Sequence, residues 1–146
     1  MPKILIVDDK EENRYVLENF FNLFDIDADI ELHMAESGVE AFEKAKLIKP
    51  DLVLMDVIME TDDAGLAATR KNREEPAIKD TVVWAVTASA MEGTSDEQSD
   101  REKCLSAGCN AYIAKPFDQI DLIRKIADLL QLEIPAETRA LMGIED

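Results

Sequence analysis

"DLVLMD", residues 51–56, sets four apolar side chains in a row, Leu52 to Met55, and ends them on a carboxylate. A short, continuously apolar run between polar residues reads as a strand covered on both faces. That is the pattern of a parallel sheet rather than of an antiparallel one with a wet side. Pro50 stops any helix from running into it. The same pattern recurs on either side of this segment, in "KILIV" (3–7) and "VVWAV" (82–86). "ADIELHM" (28–34) and "AYIA" (111–114) complete a set of five strands.

Segments of helical period lie between them. The first opens at Asp9 with Glu12 three residues on, and places Val16, Leu17, Phe20, Phe21 and Phe24 on one stripe. Ser37 with Glu40 repeats the capping pattern ahead of Ala41, Phe42 and Ala45. Gly65 precedes a third helical segment, "LAATRKNR", and a fourth ends near Gly108, a residue suited to a helix C-cap. The fifth starts at Asp118 and carries Leu122, Ile123, Ile126 and Leu130. Strand and helix alternating in this way predict right-handed βαβ crossovers and an open parallel sheet.

Two stretches depart from that regularity. The connection 89–104 is long and polar, and either Ser95 with Gln98 or Ser99 with Glu102 fits as the cap of the next helix. After the fifth helix, residues 132–146 have room for one short helix between Pro135 and Gly143, or for a loose tail.

The totals narrow the class. At 146 residues the chain has the size of one domain, and 47% hydrophobic residues supply a core. The 32 acids against 16 bases give a net charge of −16, which argues against nucleic acid as a partner. No apolar run is long enough for a membrane span, and "MPKILIVDDK" lacks the form of a secretion signal, so the expected location is cytoplasmic. Cys104 and Cys109, five apart, match neither a CxxC pair nor half of a zinc site and read as two free, partly buried thiols. His33, the single histidine, reads as structural.

In an open α/β sheet the functional crevice lies at the carboxyl ends of the strands. The residues just past those ends are Asp8 and Asp9, Asp56, Thr87, and Lys115. Two carboxylates about 4 Å apart repel by roughly 4 kcal/mol at an effective dielectric near 20, so three converging acids call for a cation. Mg²⁺ suits them, because it binds through one or two carboxylates and completes its shell with water and phosphate oxygens. Lys115 and Thr87 supply a positive charge and a hydroxyl donor for phosphoryl oxygens, and aspartate itself accepts a phosphoryl group as an acyl phosphate.

"LIVDDK", "DLVLMD", "VVWAVTA" and "AYIAKPF" together resemble the signature segments of receiver domains of two-component response regulators, over residues 3 to about 131. The resemblance is to the single-domain, chemotaxis-regulator-like kind, and the stretch "VTASAMEG…DREKCLSAGCNAYIAKPFD" also resembles receivers of hybrid histidine kinases. It implies a flavodoxin-like doubly wound (βα)5 domain with a five-stranded parallel sheet in the order 2-1-3-4-5. The receiver would occupy residues 1–131, and 132–146 would be a short extension with no output domain.

By the same resemblance Asp56 is the phosphoacceptor, taking its phosphoryl group from a sensor histidine kinase or histidine phosphotransfer protein. Asp9, Asp56 and the backbone carbonyl of Ile58 would ligate Mg²⁺, or Mn²⁺ in its place, with Asp8 acting through a bound water. Lys115 and Thr87 would stabilise the phosphoryl group. Thr87 and Tyr112 would form the switch that alters the face made by the fourth helix, fifth strand and fifth helix, where a downstream protein docks. The Lys115–Pro116 peptide bond is expected to be cis. Such a domain is a signalling module that promotes its own phosphorylation and dephosphorylation, rather than an enzyme acting on other molecules.

The sequence departs from the family near the acceptor. Glu60 stands where many receivers have proline, and Gly65 comes nine residues after Asp56 instead of eight, implying one extra residue in a loop that also carries Asp62 and Asp63. These acids are expected to face water. Ile58 and Ser89 occupy positions that govern how water reaches the acyl phosphate, and an apolar Ile58 predicts slow self-dephosphorylation. Two readings of other classes compete. A haloacid-dehalogenase-type phosphatase carries a second aspartate two residues after its nucleophile, where this chain has Ile58. A phosphorylation-independent pseudo-receiver would have lost part of the acidic, threonine and lysine set, which is intact here.

Overall fold

The apolar runs become β1 (Lys3–Val7), β2 (Glu31–Ala35), β3 (Leu52–Met55), β4 (Val82–Ala88) and β5 (Ala111–Lys115) in the computed structural model. It describes residues 2–23, 30–57, 64–88, 97–115 and 117–143, with the side chains of Thr87, Ala88, residues 97–100 and Met142 outside that description. All strand pairs are parallel and the order is β2-β1-β3-β4-β5, as expected. β1 and β3 keep their expected bounds, whereas β4 and β5 each run further toward the carboxyl end. β2 begins at Glu31, later than expected, and Phe24, Ala28 and Asp29 fall outside the described residues.

Because side chains alternate along a strand, the sheet feeds two cores. Ile4, Ile6, Leu52, Leu54, Trp84 and Val86 face α1 (Glu11–Leu23) and α5 (Gln119–Leu130), which contribute Leu17, Phe21, Leu122, Ile123 and Ile126. Leu5, Val7, Val53, Met55, Val83 and Ala85 face α2 (Gly38–Ile48), α3 (Ala64–Glu74) and α4 (Glu97–Ala107), which contribute Ala41, Ala45, Leu66, Ala68, Cys104 and Ala107.

Val16 does not join the stripe predicted for the first helix; it is 45% exposed. One residue advances about 100° around a helix, so with Leu17 and Phe21 at the centre of the buried stripe Val16 falls off its edge. The helix also starts at Glu11, so Lys10 rather than Asp9 stands at its cap, its carbonyl accepting the amides of Asn13 and Arg14. The Ser37 cap is present, with its hydroxyl accepting the Glu40 amide at 3.1 Å. Glu40 reaches back to the amide of Glu36 instead of that of Ser37. Asp118 caps α5 through the Asp121 amide. Residues 136–142 form α6 (Ala136–Met142), bounded by Pro135 and by Gly143 at φ +76°. Leu132 and Ile134 ahead of it pack against the α1/α5 core. No helix among the described residues is long and apolar enough to cross a membrane.

Candidate functional site

The chain leaves β1 toward β2 on one side, while β3 lies on the other, so the order reverses between β1 and β3. Reversal of this kind opens a crevice at the carboxyl ends of the strands. Two backbone hydrogen bonds carry the sheet ladder one step past those ends: the Asp8 amide donates to Ala35 O at 3.1 Å and the Asp56 amide to Val7 O at 2.9 Å. They place Asp8 and Asp56 side by side at the mouth of the crevice. Asp8 is 2% and Asp56 8% exposed, whereas Asp9 is open to solvent. Ligand oxygens of Asp8, Asp9 and Asp56 all lie within 4.8 Å of one another, the one such acidic cluster among the described residues.

Lys115, at the end of β5, counters this charge from across the crevice. Its Nζ donates to Asp8 Oδ2 at 3.1 Å and lies 4.0 Å from Asp56 Oδ2. The other Asp8 oxygen, Oδ1, accepts the Lys10 amide at 3.0 Å, and Arg14 Nη1 donates to the Asp8 carbonyl at 2.7 Å. Asp8 is therefore held on both oxygens by the protein. Asp9, exposed, and Asp56 beside it turn their oxygens into the same cluster. Hard oxygen donors of this kind fit Mg²⁺. Arg14, anchored in turn by Glu36 Oε1 at 3.1 Å, was not marked by sequence; nothing in "EENRY" separates it from an ordinary surface arginine.

Gly65 explains how closely α3 packs against the end of β3. It lies in the first turn of α3 rather than ahead of it, its amide donating to Val57 O at 3.0 Å. A Cβ at Gly65 would sit 2.2 Å from the Asp56 carbonyl oxygen and 2.7 Å from Val57 Cα, so only glycine lets α3 come this close to the backbone at the end of β3. One turn on, the buried Thr69 hydroxyl donates to the Gly65 carbonyl at 2.8 Å.

Thr87 is placed by its backbone alone, opposite Ala114 in the β4–β5 register, next to the Ala88–Lys115 pair. Tyr112 is buried with its ring turned into the α2/α3/α4 core, and the Arg101 guanidinium of α4 stands 5.4 Å from the ring centroid. Ile58, Glu60, Asp62, Asp63, Ser89, Ser95 and Pro116 lie outside the described residues, and with them the carbonyl ligand, the acidic loop and the expected cis bond. The start of the fourth helix is described from Glu97. His33 pairs with Glu31 at 2.9 Å on the edge strand, away from the site. This hydrogen bond holds the exposed Glu31 carboxyl below its ordinary pKa.

Comparison with known proteins agrees with this geometry. A family model described as the response regulator receiver domain matches residues 4–127. The chain is 34% identical over 131 residues to the polar-differentiation response regulator DivK of Brucella anthropi, covering 89% of this chain and 98% of that protein. It is 40% identical over 121 residues, 82% of its length, to hybrid signal transduction histidine kinase G of Dictyostelium discoideum, of which it spans 3%. The receiver domain of a sensor histidine kinase from Pseudomonas aeruginosa PAO1, whose crystal structure has a magnesium ion coordinated in the active site cleft, superposes with a TM-score of 0.72. It is 31% identical, over 89% of this chain and 98% of that one.

Proposed function

This chain belongs to the receiver domains of two-component response regulators, and from that premise we propose that it accepts a phosphoryl group on Asp56. One observation carries the reading: the oxygens of Asp8, Asp9 and Asp56 converge within 4.8 Å, with the Lys115 ammonium 3.1 Å from Asp8. A carboxylate oxygen of Asp56 attacks the phosphorus of a phosphohistidine, on a histidine kinase or phosphotransfer protein. The new P–O bond forms as the P–N bond breaks, and the imidazole leaves with its electron pair. Lys115 supplies a fixed positive charge for the transferred oxygens, and the Thr87 hydroxyl a donor.

Asp9, Asp56 and the backbone carbonyl of Ile58 are assigned to hold Mg²⁺, or Mn²⁺ in its place, with Asp8 acting through water. When bound, the ion neutralises the clustered carboxylates and the incoming phosphoryl charge. The Lys115–Pro116 bond is read as cis. Thr87 and Tyr112 are assigned as the switch, and the face of α4, β5 and α5 as the surface that a downstream protein reads. The domain is placed at residues 1–131 and the location in the cytoplasm. The molecule acts as a signalling module whose only chemistry is on itself. The likeness to a hybrid kinase favours, as a second reading, a stage in a phosphorelay.

The test is to incubate the chain with Mg²⁺ and acetyl phosphate and weigh it. One added phosphate is expected, absent in Asp56→Asn and after chelation of the metal. A chain that stays unmodified would instead be a pseudo-receiver, and continuous release of inorganic phosphate from many esters would make it a phosphatase. Ile58→Asn is expected to speed decay of the phosphorylated form.

A further inference from the structure

The end of α4 closes in two backbone hydrogen bonds. The Gly108 amide donates to Leu105 O at 3.0 Å and the Cys109 amide to Cys104 O at 3.0 Å, with Gly108 at φ +112°. This is a Schellman motif, which brings the side chain of the third helical residue from the end against that of the second residue past the cap. Here both of those positions are cysteines, Cys104 and Cys109, buried and not joined in a disulfide. The Cys109 thiol donates to the Thr69 hydroxyl at 3.8 Å, and Cys104 is the neighbour that acts on it most strongly. The corner is rigid, because Arg73 donates two hydrogen bonds to the Gly108 carbonyl, at 2.7 and 3.0 Å.

An apolar contact at this motif is met by any pair of aliphatic side chains. Two thiols in mutual contact, beside a guanidinium, add a chemistry that aliphatics lack. The hydrogen bond from Cys104 is the largest influence holding the Cys109 thiol below its ordinary pKa; the charges of Arg73 and Arg70 add to it, and burial opposes it. Thiolate character is what makes a cysteine reactive toward oxidants.

We propose that Cys104 and Cys109 are a redox modification site, closing to an intramolecular disulfide when the protein meets a peroxide. The Cys109 thiolate attacks one peroxide oxygen; the O–O bond breaks, a sulfenic acid forms and the departing hydroxide is protonated to water. The Cys104 sulfur then attacks the Cys109 sulfur, the S–O bond breaks, and the second hydroxide takes the Cys104 proton and leaves as water. The two thiols have lost two electrons together and the peroxide has gained them. The bond would tie the last turn of the signalling helix α4 to the start of β5. It would also act on the contact with Thr69, whose hydroxyl bonds the carbonyl of Gly65 beside Asp56.

The test uses the full chain with no phosphodonor, so its result is independent of Asp56 chemistry. The protein is treated with hydrogen peroxide, denatured in iodoacetamide and weighed, with and without prior dithiothreitol. A monomer lighter by two hydrogen masses, carrying no carbamidomethyl group until reduced, is expected. In Cys104→Ser the partner is missing, and Cys109 should instead gain oxygen. Wild-type protein that takes two carbamidomethyl groups after peroxide, gains oxygen at separate thiols, or forms a disulfide-linked dimer overturns the proposal. If circular dichroism finds Cys104→Ser unfolded, the wild-type masses alone decide.

Discussion

The two faces of the sheet are held in different ways. On the α1/α5 face the helices meet the strands through Phe21, Leu17, Leu122, Ile123 and Ile126. On the α2/α3/α4 face the fully buried helix residues are largely alanine, with Leu66 and Cys104 the larger ones and Phe42 and Ile48 only partly buried beside them. Bulky side chains bury more area per contact, at about 25 cal/mol per Å² of apolar surface, so the first face is the anchor. Small side chains allow closer approach with less held in each contact. On that second face lie Gly65 against the Asp56 backbone, Thr69, the inward Tyr112 ring and the thiol pair. The parts assigned to signalling thus ride on the lightly fastened side, and the strands that aim the acids are fixed from the other.

The largest stability effect should therefore come from the anchoring face. Phe21→Ala is expected to cost about 3–5 kcal/mol, read by urea unfolding through the fluorescence of Trp84, the single tryptophan. A loss below that range would mean that the two faces are fastened alike. Next comes Arg73, which on the lighter face substitutes hydrogen bonds for apolar area. Besides Gly108 it donates to the carbonyls of Lys79 and Thr81 and to Asn110 Oδ1. Arg73→Ala should cost about 2–3 kcal/mol, and Arg73→Lys should not restore it, since an ammonium cannot span the same fork of acceptors. Smallest is Ala45→Gly on the lighter face, at about 1–2 kcal/mol from helix propensity and one lost methyl group. An Ala45→Gly cost equal to that of Phe21→Ala would erase the contrast.

Most of the sheet and the strand-end acids were legible in the sequence for a physical reason. A parallel strand buried on both faces must be continuously apolar, and the first polar residue after it necessarily sits at the mouth of the crevice. That logic located Asp8, Asp56 and Lys115, and the bounds of β1 and β3. It failed where structure depends on a neighbour distant in sequence. Gly65 looked like a helix start, yet its constraint is the Asp56 carbonyl 2.2 Å from where a Cβ would be. Nothing in "LAATRKNR" singles out Arg73, whose acceptors lie as far as 37 residues away. Cys104 and Cys109 read as two independent thiols because their spacing fits no metal or CxxC pattern; only the turn at Gly108 brings them together. Val16 was misplaced for a simpler reason, a stripe drawn one residue too wide.

The identity of the acceptor is tested most directly by chemical trapping. After incubation with Mg²⁺ and acetyl phosphate, borohydride reduces an aspartyl phosphate to homoserine, which peptide mass spectrometry locates in the chain. Homoserine at position 56 alone is predicted. Homoserine at position 8 or 9, or an unchanged chain, would contradict the assignment of Asp56 as the phosphoacceptor.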